Sequence, residues 1–282
     1  MSSMFDRDFS KPLSARLVIM VFGRPKIGKT RLALDLAKRG QYVMMISCDR
    51  GARFELHRNS KEYQGHVALA EVSGLAEFRK ALAELKINIG RLVKAGVPAG
   101  KIWVVLDTLT HMQAQLLQEA RRIDQKNPGA VEKSREDFLR DFTTQVDWGI
   151  NLTLMGEQSD AMLALPCNVV YIALEKTERP KGQSEKPVPA MSGQSKERFL
   201  GDSDVILHMT RGNDKELVLE TSYAGGAGDR TGILDPVEPP DLLAIYQKVY
   251  GSADQPAKPE TLPADASADK SDDNQQPTAS GE

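Results

Sequence analysis

The stretch Leu17-Val-Ile-Met-Val-Phe-Gly-Arg-Pro-Lys-Ile-Gly-Lys-Thr30 decides how the rest of the chain is read. Its first six residues are a continuous apolar run that stops at a glycine, the pattern of a short strand buried on both faces. Gly23-Arg24-Pro25-Lys26-Ile27-Gly28-Lys29-Thr30 then matches G-x-x-x-x-G-K-[ST]. The spacing has a chemical reason: a loop that wraps a phosphate with backbone N–H groups needs glycines, which accept close approach and left-handed dihedrals. In this motif the lysine, Lys29, reaches the β- and γ-phosphates, and the threonine hydroxyl of Thr30 ligates Mg²⁺. The helix that follows points its positive end at the anion. The expected nucleotide contacts run from Gly23 through Thr30 to Arg31. Lys29 itself reads as a residue of a solvent-facing loop.

Outward from this loop the chain alternates. Thr30–Arg39 reads as a helix with Leu32, Ala33 and Leu36 on one side, and Tyr42–Ser47 as a second strand. Leu75, Phe78, Leu82, Leu85, Ile89 and Leu92 recur at steps of three and four, which predicts a helix packed on a sheet. Ile102–Leu106 is a third apolar run and ends at Asp107. A phosphate-loop enzyme needs a carboxylate at the carboxyl end of a neighbouring strand to hold the magnesium shell, so Thr30 and Asp107 are the expected Mg²⁺ ligands.

Leu109–Arg122 and the segment marked by Trp148, Leu152, Met155, Met162 and Leu163 read as helices, with a polar loop at Lys126–Glu136 between them. Asn168–Leu174 is a fourth strand. Residues 176–198, rich in charge, proline and glycine, read as a long irregular loop. Val205–Met209 and Glu216–Thr221 form a closing pair of strands, and Asp241–Tyr250 a last helix. Strands alternating with helices predict an α/β fold with a mostly parallel central sheet flanked by helices. Its ligands should lie just after Phe22, Ser47, Leu106 and Leu174.

The chain divides into an N-terminal extension (1–14), a core (15–250) and a tail (251–282) rich in Asp, Pro, Ser and Gln that reads as disordered. The tail holds a formal −5 of the overall −2, which leaves the body at +3. A mildly basic body with an acidic tail is compatible with nucleic-acid contact but is too weak a footprint to establish it. Cys48 and Cys167 belong to no metal-binding or disulfide pattern. Asp6, Arg7, Asp8 and Lys11 precede an apolar run of only six residues, so neither a signal peptide nor a membrane span is expected, and a reducing cytoplasm is the default.

A carboxylate that positions the attacking water is harder to place. Asp49, at the end of the second strand, leads; Glu55, just beyond it, and Glu175, at the end of the fourth strand, stay open.

Taken together, Gly23–Thr30, Asp107-Thr-Leu-Thr110, Asp147-Trp-Gly149 and Ala227-Gly-Asp-Arg-Thr-Gly232 followed by Pro236, Pro239 and Pro240 resemble the phage Sak-type ATPases, remote relatives of RecA and Rad51 reduced to the core ATPase domain. The resemblance covers about residues 14–250. It implies a RecA-like fold, ATP with Mg²⁺, and binding of single-stranded DNA to promote annealing or strand pairing. It also implies a homo-oligomeric ring or filament, acting beside a single-strand-binding protein. Two positions depart from the family: Asp49 and Arg50 stand where a glutamate is common, and Glu175 stands where a polar sensor is common.

In such assemblies a neighbour's arginine can complete the site, and Arg230 is the residue expected to do so. Lys176, Arg179, Lys181, Lys186, Lys196 and Arg198 are the expected DNA-phosphate contacts. Two other functions compete: a weakly hydrolysing nucleotide-binding module that recruits partners, and, ranked last, a small-molecule phosphotransferase.

Overall fold

A computed structural model describes residues 16–63, 65–126, 144–179, 182, 184–223 and 226–251. The expected N-terminal extension, nearly all of the Lys126–Glu136 loop, Lys181 and the acidic tail lie outside the described residues.

The first unit is β1 (Val18–Gly23), α1 (Lys29–Lys38), β2 (Tyr42–Ser47), α2 (Gly51–Arg58) and β3 (Val67–Glu71). Next come α3 (Leu75–Lys94), β4 (Ile102–Asp107), α4 (Leu109–Lys126) and α5 (Gln145–Leu163). They are followed by β5 (Asn168–Glu178), β6 (Lys186–Pro189), α6 (Gln194–Asp202), β7 (Val205–Arg211) and β8 (Leu217–Glu220). The two-residue strands β9 (Ser222–Tyr223) and β10 (Gly226–Ala227) form a ribbon of their own; β11 (Val237–Glu238) and α7 (Leu242–Tyr250) end the described chain.

The main sheet runs β11-β8-β7-β1-β5-β4-β2-β3, with β6 paired to β5. β7, β1, β5, β4, β2 and β3 are mutually parallel, and β6, β8 and β11 join antiparallel. The four expected sites therefore share one end of the sheet. β5 is inserted between the phosphate-loop strand β1 and the Asp107 strand β4.

Strand alternation sends side chains to two cores. Val18, Met20 and Phe22 pack with Phe78 of α3, Met112 of α4, Met155 of α5 and Phe199 of α6. Ile19 and Val21 pack with Leu32 and Leu36 of α1 and Ile245 of α7. Both faces of the parallel sheet are covered, which is why its strands read as unbroken apolar runs.

Two segments differ from expectation. β3 is an additional edge strand; it is short and only partly buried, so its sequence Val67-Ala-Leu-Ala-Glu carries no strong period. Residues 176–198 are ordered for the most part: β5 continues to Glu178, pairs antiparallel with β6, and α6 follows. Lys176↔Val188 and Thr177↔Pro187 pairings hold the hairpin, and Phe199 anchors α6 in the core. Gln113 of α4 fastens the intervening turn: its Oε1 accepts from Ser192 N at 2.9 Å and its Nε2 donates to Ser192 O at 3.1 Å. Asp147 takes a structural part, because it forms a capping box with Thr144 at the start of α5. Among the described residues no helix is long and apolar enough to cross a membrane.

Candidate nucleotide site

The phosphate loop leaves β1 at Gly23, which lies level with Leu174 on one side and Met209 on the other. A Cβ at Gly23 would meet the Met209 carbonyl oxygen at 2.5 Å, so only glycine permits this approach of β1 to β7. Lys26 and Gly28 take left-handed dihedrals (φ 61° and 115°), which turn successive N–H groups inward before α1 begins.

Lys29 departs from the solvent-facing expectation: it is 6% exposed. Its Nζ donates to the carbonyls of Gly23 and Arg24, both at 2.8 Å, so the ammonium spans the cradle it belongs to. Burial lowers its pKa to about 8, against the opposing pull of Asp107, Glu175 and Asp49. Arg31 lies on the outer face of α1, with its side chain 62% exposed and Nε 3.9 Å from Glu55.

Asp107 is fully buried at the end of β4. Its Oδ2 accepts from Thr30 Oγ1 at 2.6 Å, and its Oδ1 is buried with no hydrogen-bond partner. Burial pushes the carboxyl up to about 6, with the negative charge of Asp49 acting in the same direction and the Thr30 bond and Lys29 acting against both. A hydroxyl and an orphaned carboxylate oxygen, side by side at the mouth of a phosphate loop, form a hard-oxygen donor set suited to Mg²⁺ held jointly with substrate phosphates. The residues present therefore fit the metal.

Asp49 follows β2 by two residues. Its Oδ1 accepts from Gly51 N at 2.7 Å and steadies the start of α2, while Oδ2 lies 3.5 Å from His111 Nδ1. His111, on α4, also meets Thr108 Oγ1 at 2.9 Å. Glu55 is committed elsewhere, accepting from Nδ2 of Asn59, the residue that caps α2, at 2.7 Å. Glu175 reaches the loop from β5: Oε1 accepts from Arg24 Nε at 3.2 Å and Oε2 lies 3.0 Å from His208 Nε2.

Arg230 lies elsewhere. Its backbone N donates to Asp204 O, and Asp204 N in turn donates to Val18 O, so Arg230 sits at the amino ends of β1 and β7. Five residues of strand separate that level from Gly23, about 17 Å. Asp229 does not pair with Arg230; it accepts from Thr231, Ile233 and Leu234 and organises the turn, leaving Arg230 exposed.

Sequence reasoning passed over His111, His208 and Glu220, which its motif gave no reason to inspect. Their one signal is position, because each falls near the carboxyl end of a strand or just after one.

A doubly covered parallel sheet, a glycine-bounded phosphate loop at its carboxyl edge and a threonine–aspartate pair beside it define a nucleotide-binding P-loop NTPase. The AAA domain family model matches residues 15–236, and the chain belongs to that family. No curated protein matches the chain.

Proposed function

We propose that the chain hydrolyses ATP and couples that turnover to single-stranded DNA, promoting annealing or strand pairing as a RecA-like homo-oligomer. The observation that carries the hydrolysis half is the buried, partnerless Asp107 Oδ1 beside Thr30, because desolvating a carboxylate without a partner is costly unless a cation repays it. Backbone N–H groups of the Gly23–Thr30 loop, Pro25 excepted, and the Lys29 ammonium bind the phosphates. Thr30 and Asp107 hold Mg²⁺, which when bound supplies positive charge against the phosphate oxygens.

The DNA half rests on the resemblance to Sak-type ATPases and on the +3 body. The proposed cation set needs revision on physical grounds. Lys176 and Lys196 both pair with Glu178, and Arg198 pairs with Asp160 and Asp202. Cations compensated in place release fewer counterions on binding a phosphate chain. Arg179, just past the end of β5, and Lys186, which opens β6, are the members of that set we assign to DNA. Turnover measured with and without oligo-dT tests the proposal: stimulation is expected, and ATP binding with no turnover in either condition would favour the recruiting module instead.

A further inference from the structure

On the sheet face opposite α1, three side chains from three strands form one continuous chain. Glu175 of β5 meets His208 Nε2 of β7 at 3.0 Å, and His208 Nδ1 meets Glu220 Oε2 of β8 at 2.9 Å. The imidazole stacks on Phe22 of β1, ring centroids 4.8 Å apart, one residue before the phosphate loop. The His208 side chain is 9% exposed and that of Glu175 17%. Each ring nitrogen faces one carboxylate, so the two contacts together fix the orientation of the imidazole. The other oxygen of Glu175 is fixed by Arg24, inside the loop itself. Both oxygens are thereby aimed, and neither bond belongs to a turn or cap.

Asp49 compares poorly on geometry. It extends from β2, three strand positions from β1 and so about 14 Å away at the level of the sheet, whereas β5 is the immediate neighbour of β1 at about 5 Å. One Asp49 oxygen is also engaged in starting α2. Alternation places Asp107 on the α1 face and Glu175 on the other, so the two carboxylates flank the end of β1 from opposite sides. A metal ligand on one side and, on the other, a carboxylate held in place by Arg24 and His208 separates the metal-holding and water-positioning roles that phosphoryl transfer to water uses.

We infer that Glu175 is the carboxylate that orients the attacking water, and that His208, backed by Glu220, is its positioning residue. This rests on the ATPase reading above. Glu175 accepts the proton of the water as its oxygen bonds to phosphorus and the bond to the leaving diphosphate breaks.

The test uses the full-length protein, steady-state ATP turnover, and the affinity of a fluorescent ATP analogue. Glu175→Gln is expected to lower kcat about 100-fold or more, with analogue affinity within about threefold of the starting protein. His208→Phe keeps the stack on Phe22 and removes both bonds; kcat is expected to fall about tenfold at unchanged analogue affinity. Glu220→Gln keeps a hydrogen-bond partner for Nδ1 and should retain most of the rate. Normal kcat in folded Glu175→Gln overturns the assignment, as does parallel loss of analogue binding and kcat in His208→Phe, which would mark a purely structural bridge. Failure of the ATPase reading looks different: the unsubstituted protein would bind the analogue and release no phosphate, and the assignment would fall with it.

Discussion

Thr30 Oγ1 and Asp107 Oδ2 lie 2.6 Å apart, joining the phosphate loop to a strand two positions away in the sheet. The bond uses one carboxylate oxygen and leaves the other buried and partnerless. Asp107 is therefore strained in the protein alone, and its strain has a sign that can be measured.

With its folded pKa raised from 3.8 to about 6, the fold prefers the protonated carboxyl. The associated stability is present below the unfolded value and is lost as pH rises from about 4 to 6, to the extent of about 3 kcal/mol at neutrality. Asp107→Asn, which has no charge to desolvate, is expected to raise the melting temperature at pH 7.5 and to leave it nearly unchanged at pH 4.5. The same substitution should abolish magnesium-dependent turnover. Equal melting temperatures at pH 7.5 would place the ionised carboxylate in a solvated setting.

Lys29→Ala is expected to lower ATP affinity at least about 100-fold, since it removes the one cation inside the cradle. Its two carbonyl partners each lose a donor, with Arg24 O keeping the Ile27 N–H at 3.4 Å, but the desolvated ammonium is removed as well. The net change in unfolding free energy should stay within about 2 kcal/mol. Isothermal titration and chemical denaturation measure the two quantities, and undiminished affinity in a folded variant would remove Lys29 from the phosphate site.

Affinity for Mg²⁺-ATP should trace a plateau between pH 6 and 8. Below about 6 Asp107 takes a proton and ceases to be a metal ligand; above about 8 Lys29 loses its charge. Bound phosphate stabilises the ammonium, so the upper limb should move to higher pH as the nucleotide concentration rises. Analogue titrations from pH 5 to 9 give the profile, and a flat response would show that neither group contacts the ligand.

The phosphate loop and the buried strands were legible because both are local: a fixed spacing and an unbroken apolar run identify themselves without neighbours. Asp107 was legible one step less directly, through the need for a carboxylate at a strand end near the phosphate loop, although β5 separates its strand from β1. The Glu175–His208–Glu220 bridge was not, since it joins residues 33 and 12 positions apart, and only the strand order makes them adjacent. β3 and α6 escaped notice for a local reason. A partly exposed edge strand and a helix anchored by Ser195 and Phe199 have too few buried positions to show a period.

Gly228→Ala tests a close approach rather than a motif. A Cβ there would run into the Thr221 carbonyl oxygen and stand 2.7 Å from that of Ile206, while Gly228 O accepts from Ile206 N. Both obstacles are backbone and cannot swing aside. Destabilisation of about 1–3 kcal/mol or more is expected in urea unfolding. A neutral effect would mean that the 226–232 turn stands free of β7.

Arg230 stands about 17 Å from its own phosphate loop along β1, so any role in turnover must be played on a neighbour. Arg230→Ala should bind ATP normally and lose turnover by about 10³-fold or more. Mixing it with Lys29→Ala protomers should restore part of the activity, because some interfaces then pair an intact loop with an intact arginine. Co-assembled mixtures that stay inactive would confine Arg230 to its turn.

The two bonds between Gln113 and Ser192 have a mechanical consequence. A single side-chain amide gives and receives the pair of bonds that a strand neighbour would supply, so the turn leading out of β6 is geared to α4. α4 starts two residues after Asp107, and Gln113 lies little more than one turn along it. A tilt of the helix at its root would have to move Ser192 or break both bonds. A shift of the β5–β6 hairpin at its base, beneath Arg179 and Lys186, would load those same two bonds and through them α4.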